Sequence, residues 1–485
     1  MVRYARREFL TAAAAAGVVS AAGCTDSGSS SDGGGFNTET PEADAADNWR
    51  MRRGGPGNAG VSSSGGPGGD ADAAFTAEFR NGINLGYGAP TVGEDAIYGV
   101  GRVATPYEME PRTFGGYAFR LSREAGSEEW RVPVELREGE DNLNFFPNSP
   151  KTCLGPDGLY VTWIRRGESS QDLVVQAHAR DDGSRQWRNA FPGAASALEP
   201  VVDDGTLYLL GAARLLALST ADGSREWASD EFRYDQTVPS VGADAVVVAN
   251  RGFADEEASR QVTAFDRADG SVRWSEPTGI RNGLHRAPSV VDGTVYLAEG
   301  ITITVGAVAE ELPPFSIRAL DAADGSEGWS HTYKDRTDHW MMAGGTTSVA
   351  VDGSRVYYGL LYPTAAQALG RQASEADYER FEREAYTGAS MVALDRADGS
   401  VVWTADLGNG AQVYSYLVVD DDYVYAKRLP DADPERRQWV AVEKASGEVA
   451  GRFGSGSAAD GGRRAFGVAD GALYEHVGDG VRVWR

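Results

Sequence analysis

Ala393-Leu394-Asp395-Arg396-Ala397-Asp398-Gly399-Ser400-Val401-Val402-Trp403 decides the fold, because the chain repeats it. A small residue opens an apolar run, an acidic turn with glycine follows, and tryptophan stands four residues after that glycine. The phrase returns as Ala217 to Gly223 and Trp227, as Ala264 to Gly270 and Trp274, and as Ala319 to Gly325 and Trp329. Looser copies end at Gly126/Trp130 and Gly183/Trp187. A degenerate one, Ala441 to Gly447, has Gly451 where tryptophan is expected. Each copy reads as strand, tight turn, strand. Asp-Gly supplies the positive φ that a hairpin turn needs, and the flanks alternate apolar and polar.

A second phrase lies between the copies, as in Pro200-Val201-Val202-Asp203-Asp204-Gly205-Thr206-Leu207-Tyr208 and again from Pro288 to Tyr296. Related stretches begin near Pro90, Pro150, Pro239, Thr347, Leu417 and Phe466, which makes eight of this phrase against seven of the first. Two hairpins per unit make a four-stranded antiparallel module with two apolar faces, which only neighbouring modules can cover. The expected fold is all-β, an eight-bladed β-propeller of four-stranded blades, with seven blades as the alternative. A β-helix wants shorter, stricter coils, and a sandwich would not repeat eight times. Trp130, Trp187, Trp227, Trp274, Trp329 and Trp403 are expected to dock blade on blade, with the leading alanine leaving room near the crowded axis. Glycine-to-glycine spacings of 57, 40, 47, 55, 74 and 48 leave loops to absorb the difference. The eighth unit ends after three strands, so its fourth is expected from Ala74-Phe75-Thr76-Ala77-Glu78-Phe79-Arg80, paired near Val481–Trp484, which would remove two exposed sheet edges.

The 485 residues are 41% hydrophobic and 10% aromatic, ample for a large core and incompatible with wholesale disorder. Acidic residues outnumber basic ones 71 to 46, a formal charge of −25, which excludes nucleic acid and anionic lipid surfaces as natural partners. Lysine is confined to Lys151, Lys334, Lys427 and Lys444. Abundant carboxylates with so little lysine resemble proteins of organisms living in strong brine, where the Debye length falls to about 3 Å and screens self-repulsion.

Residues 1–23 read as a twin-arginine lipoprotein signal peptide. Arg6 and Arg7 precede Phe9 and Leu10, an apolar stretch too short for a membrane span runs to Ala22, and Ala21-Ala22-Gly23-Cys24 resembles a lipoprotein box. The box implies cleavage before Cys24 and lipid attachment to its thiol. Residues 24–46, rich in glycine, serine and acid, form a flexible tether, and residues 47–485 form the propeller. The expected location is the extracytoplasmic face of the cell membrane, with contact to the membrane through the lipid alone. Cys153 is the one other cysteine, expected as a buried core thiol and not part of a disulfide.

A helical insertion is expected over about 362–386, where Tyr378, Phe381 and Ala385 share a face, either packed on the rim or projecting toward a partner. His331, Asp335, Asp338 and His339 cluster in sequence, but their spacing matches no closed metal motif, and a solvated loop is the better reading. Asp420-Asp421-Asp422 occupies the repeat's turn position and lacks the calcium-loop pattern. No phosphate-binding loop, dinucleotide fingerprint or nucleophile elbow appears. No catalytic or metal residue is therefore assigned.

The two phrases together resemble the pyrroloquinoline-quinone-type repeat, the blade unit of quinoprotein alcohol dehydrogenases and of related non-enzymatic propellers. Asn48 to Gly60 resembles the lead-in segment of such domains. In the dehydrogenase branch the resemblance implies a quinone stacked between a tryptophan and a disulfide of adjacent cysteines, with calcium nearby. This chain lacks the second cysteine for that disulfide. The cofactor-free branch includes an outer-membrane assembly lipoprotein, which size, lipobox and cysteine poverty fit. The expectation is a monomeric, non-catalytic, lipid-anchored scaffold with protein partners and no cofactor. A quinone-dependent oxidoreductase with calcium, or a module binding polysaccharide or a small ligand, are the alternatives.

Overall fold

The computed structural model describes residues 54–55, 57, 59–62, 64–78, 83–84, 91–104, 114–134, 151–166, 171–193, 199–211, 214–229, 237–250, 261–278, 287–299, 316–332, 345–346, 349–361, 374, 389–407, 412–413, 417–429, 437–456, 466–477 and 480–485. These residues form eight antiparallel sheets and, among them, no helix. The protein is an eight-bladed propeller. The signal segment, the tether and, apart from Ser374, the insertion expected at 362–386 lie outside the described residues.

Blade 1 runs from Ile83–Asn84 and Thr91–Val92 through Ala96–Ala104 and Phe114–Ser122 to Glu128–Val134. Blade 2 spans Lys151–Leu154 to Arg185–Pro192, blade 3 Val201–Asp203 to Arg225–Ala228, and blade 4 Ser240–Val241 to Val272–Pro277. Blade 5 spans Ser289–Val291 to Glu327–Thr332, blade 6 Gly345–Thr346 to Val401–Ala405, and blade 7 Gln412–Val413 to Val449–Gly456. The innermost strands neighbour one another in succession from Thr91–Val92 to Val418–Val419, and Phe466–Ala469 of blade 8 lies beside Thr91–Val92. Hydroxyls weld this hub: Ser240 Oγ donates to the Pro288 carbonyl (2.6 Å) and Ser289 Oγ to that of Val349 (3.0 Å).

Blade 8 takes Phe466–Ala469, Ala472–Val477 and Gly480–Trp484 from the C-terminus and Ala73–Glu78 from the N-terminus. Its closing pairs include Phe75 with Val483 and Ala77 with Val481. Asp72 and Arg485 exchange backbone hydrogen bonds of 2.9 and 3.0 Å, so the chain ends replace the hairpin that other blades have there. The described closing strand is Ala73–Glu78; Phe79 and Arg80 of the expected strand lie outside the described residues.

Two turn types recur because two residue patterns recur. Between first and second strands, Asp204-Gly205, Asp292-Gly293 and Asp470-Gly471 both take positive φ, as a two-residue hairpin of right-handed twist requires. Between third and fourth strands, only the glycine does, with φ of +66° to +79° at Gly126, Gly183, Gly223, Gly270, Gly325, Gly399 and Gly447. A bulge follows in the fourth strand, which rotates the tryptophan out of strict alternation and onto the neighbouring blade.

The leading alanine has a different job from the one its sequence position suggests. Ala217 is in the third strand, directly between Tyr208 and Trp227, and the same row recurs as Tyr296–Ala319–Trp329 and Tyr357–Ala393–Trp403. A methyl group there lets the flanking rings meet across it, with centroids 5.9–6.1 Å apart. The alanine accommodates two aromatic rings within a blade, not the axis.

Candidate functional site

The sites that the repeat builds are its seams. Each of Trp130, Trp187, Trp227, Trp274, Trp329 and Trp403 donates its indole N–H to a turn carbonyl of the next blade, at 2.8–3.0 Å. The acceptors are Arg180, Thr220, Arg267, Ala322, Arg396 and Lys444, each three residues before a turn glycine. The indole then covers that glycine: a Cβ added to Gly223, Gly270 or Gly399 would fall 2.4–2.5 Å from ring carbon. Glycine is therefore required twice, by its positive φ and by the ring above it.

A second clamp crosses some seams. Arg267 Nε donates to the Tyr208 hydroxyl (3.0 Å), Arg396 Nε to that of Tyr296 (2.9 Å), and Arg123 Nε to that of Tyr474 (2.7 Å). Arg267 and Arg396 also pair with Asp203 (2.6 Å) and Asp292 (2.8 Å). At the seam between blades 4 and 5 the tyrosine position is Val247 and the cation position is Ala322, so both partners are missing together. Sequence reading passed over this clamp, although arginine after the strand-ending aspartate in Asp266-Arg267 and Asp395-Arg396 was its signal.

Two seams depart from the pattern. At blades 8 and 1, Phe75 takes the tryptophan position over Gly126, 2.5 Å from that glycine's would-be Cβ. The missing N–H comes from the last residue, because Arg485 Nη2 donates to the Arg123 carbonyl (3.1 Å). At blades 7 and 8, Gly451 occupies the tryptophan position, opposite Ala441. That seam instead buries an ion pair, Lys427 with Glu475. The other oxygen of Glu475 accepts the indole N–H groups of Trp439 (3.0 Å) and Trp484 (3.2 Å). Lys427 Nζ also lies 5.2 Å from the centre of the Trp439 ring. A dry carboxylate so fully bonded is the condition under which a buried charge is tolerated.

The other singled-out residues separate in the structure. Cys153 lies in the innermost strand of blade 2, fully buried, and desolvation pushes its thiol well above the ordinary range. Its chain neighbours are Thr152 and Leu154, so the clamp of adjacent cysteines found in the dehydrogenase branch does not fit this chain. His331 is half-buried beside Tyr358, with ring centroids 6.5 Å apart; Asp335, Asp338 and His339 lie outside the described residues. Asp420 caps its own turn, accepting from the amides of Asp422 (2.8 Å) and Tyr423 (2.6 Å). Among the described residues no group of three histidine, cysteine or acidic side chains is placed to hold a metal. Cys24, Arg6, Arg7, Phe9 and Leu10 lie outside the described residues.

A family model described as outer membrane protein assembly factor BamB matches residues 115–311 and 314–485. The chain belongs to this family. Its BamB-family propeller is similar to the crystal structure of BamB from Moraxella catarrhalis, at 12% identity and a TM-score of 0.51, over 86% of this chain and 100% of that one. It is also similar to the quinohemoprotein alcohol dehydrogenase ADHIIG from Pseudomonas putida HK5, at 10% identity and a TM-score of 0.53, over 89% of this chain and 76% of the other. Likeness at such identities is likeness of fold. Among curated proteins, the serine/threonine-protein kinase AfsK of Streptomyces griseus is 28% identical over 191 residues, 38% of this chain. The BamB-family propeller spans 22% of the kinase's length.

Proposed function

We propose that this BamB-family propeller is a lipid-anchored, extracytoplasmic scaffold that presents its surface to protein partners without chemistry of its own. The observation that supports this reading best is the family match, which covers most of the propeller, in a chain whose two cysteines are Cys24 and the buried Cys153. The first cysteine sits where a lipid would be attached. The second is unable to contribute to a quinone clamp. The likeness to ADHIIG keeps a quinone-dependent oxidoreductase as the second reading, because the same blades serve both branches.

One experiment separates them. Purified protein is incubated with pyrroloquinoline quinone and Ca²⁺, and the absorbance spectrum and dye-linked alcohol oxidation are recorded. No stoichiometric quinone spectrum and no turnover are expected, and capture from native membranes with the tagged protein should enrich a defined set of proteins. Stoichiometric binding with turnover would replace the scaffold by the oxidoreductase. Retention by polysaccharide alone would favour a carbohydrate-binding module. Anchoring is tested separately: Cys24→Ser should release the protein into the medium, and undiminished membrane retention would count against the lipid.

A further inference from the structure

Seven of the eight seams carry an aromatic ring on the turn glycine of the next blade, and the seam between blades 7 and 8 does not. Gly451 pairs with Ala441 as Trp227 pairs with Ala217, so a tryptophan there would stand in register. Backbone occupies its place instead. A Cβ on Gly451 would fall 2.0 Å from the Gly69 carbonyl oxygen, and one on Gly69 would fall 2.9 Å from that of Ala450.

Gly69 is the outer end of a strap that begins at the hub. The Gly57 carbonyl accepts the Val290 N–H of blade 5, and the Ala59 carbonyl accepts the Val351 N–H of blade 6, both at 2.8 Å. Gly60 accepts from the Val419 N–H of blade 7 (2.9 Å), and the Ser62 N–H returns to the Val419 carbonyl (2.8 Å). In blade 8, the Gly65 carbonyl takes the Gly471 N–H (2.6 Å) and Ser64 Oγ takes that of Asp470 (2.8 Å). The strap then turns outward along the seam. Gly66 N–H donates to the Asp420 carboxylate (2.6 Å) and Gly68 N–H to the Tyr425 hydroxyl (3.2 Å). Four residues beyond Gly69 it reaches the closing strand, Ala73–Glu78.

The missing tryptophan has a geometric cause. Blade 8 has no covalent turn between its third and fourth strands, only the paired ends Asp72 and Arg485. An indole at position 451 would find no turn glycine to cover, and its slot is free for the strap.

We propose that the described residues 57, 59–62 and 64–72 are a latch: the seam between blades 7 and 8 is the ring's opening point, and the strap in the vacated tryptophan slot holds it shut. Withdrawing the strap frees the closing strand and parts blade 8 from blade 7, while blades 2 to 6 stay joined by their indoles. Closure of the ring is thereby coupled to the segment that connects the propeller to the N-terminus. The opening exposes the Lys427–Glu475 pair to water, where each charge is solvated without a partner.

Gly451→Trp in the full chain is the test, because it restores the repeat's own residue where the strap now lies. The expected result is a lower melting temperature, together with at least tenfold faster amide exchange at Ser62, Gly66, Gly68, Val419 and Gly471. Amides of blades 3 to 5 should keep wild-type protection. An unchanged or higher melting temperature with a protected strap would overturn the latch. Trp403→Gly, which imposes the same residue on the seam between blades 6 and 7, should leave the strap protected; release of the strap by this control would also overturn it. If Gly451→Trp does not fold, native-state exchange of the wild type across a denaturant series decides. Strap and closing strand should exchange together through an opening that leaves blades 3 to 5 closed, and exchange of all amides through one global unfolding refutes the proposal.

Discussion

Gly399 and Gly353 are both turn glycines of blade 6, yet their surroundings differ completely. Gly399 has φ +73° and the Trp329 ring 2.4 Å from the position of an added Cβ, whereas Gly353 has nothing within 4 Å. Gly399→Ala is expected to destabilise by about 2 kcal/mol or more, from left-handed strain plus a displaced indole, and Gly353→Ala by less than about 0.5 kcal/mol. Urea denaturation of the two variants checks the contrast. Cys153 allows a second residue-scale prediction. Its burial raises the thiol pKa, so Ellman's reagent should not react with the folded, lipid-free protein whose Cys24 is replaced by Ser, and should titrate one thiol in denaturant. Reaction at a rate independent of denaturant would mean that the inner strand of blade 2 opens locally.

Between blades, the number of clamps per seam sets how much each one matters. Blades 3 and 4 share the Trp227 staple and the Arg267–Tyr208–Asp203 network; blades 4 and 5 have Trp274 without a tyrosine clamp. Trp→Phe removes one indole N–H and leaves the turn carbonyl short of a donor, a loss of about 1–3 kcal/mol. Trp274→Phe is expected to cost more than Trp227→Phe, because Val247 and Ala322 leave that seam without the tyrosine–arginine clamp that backs up Trp227. Equal losses in chemical denaturation would show that the arginine clamp adds nothing. Much of this seam was legible in the sequence, since Asp-Gly turns and a tryptophan at fixed spacing are local patterns with local causes. Phe75 and Arg485 were not legible as a split staple, because they complete one contact from opposite ends of the chain. Gly451 read as a degenerate copy for the same reason: what fills its slot, Gly69, is 382 residues earlier, and only the closed ring brings them together. The strap's polar partners, Asp420 and Tyr425, carry sequence roles as turn cap and strand residue that conceal their second use.

At the scale of the whole molecule, a surplus of carboxylates makes stability depend on proton and salt concentration in opposite regimes. Burial lowers the pKa of His178, and burial that would raise Asp352 is outweighed by the Ser354 and Arg355 amides and the Lys444 ammonium, which hold its carboxyl below the usual range. Both folded-state values are depressed, so the unfolded chain binds more protons on acidification. Stability contributed by His178 is present above about pH 6.5 and fades below it, and that of Asp352 is present above about pH 4 and fades further down. Acid unfolding should therefore begin with a shallow loss below about pH 6.5 and steepen near pH 4, and His178→Gln should flatten the first phase. Salt acts on the other side of this balance. A formal charge of −25 repels itself through a Debye length of about 10 Å at 0.1 M salt, and of about 3 Å at 1 M. The seams are held chiefly by indole bonds, apolar contact and the buried Lys427–Glu475 pair, which salt screens little. The part-exposed Arg267–Asp203 and Arg396–Asp292 pairs lose some attraction in salt but keep the arginine–tyrosine hydrogen bonds beside them. Raising KCl from 0.1 M to 2 M should thus relieve surface repulsion without loosening the seams, and the melting temperature at pH 7 should climb by several degrees. A melting temperature that stays flat or falls across that range, followed by circular dichroism, would show that the acidic surface is no adaptation to brine.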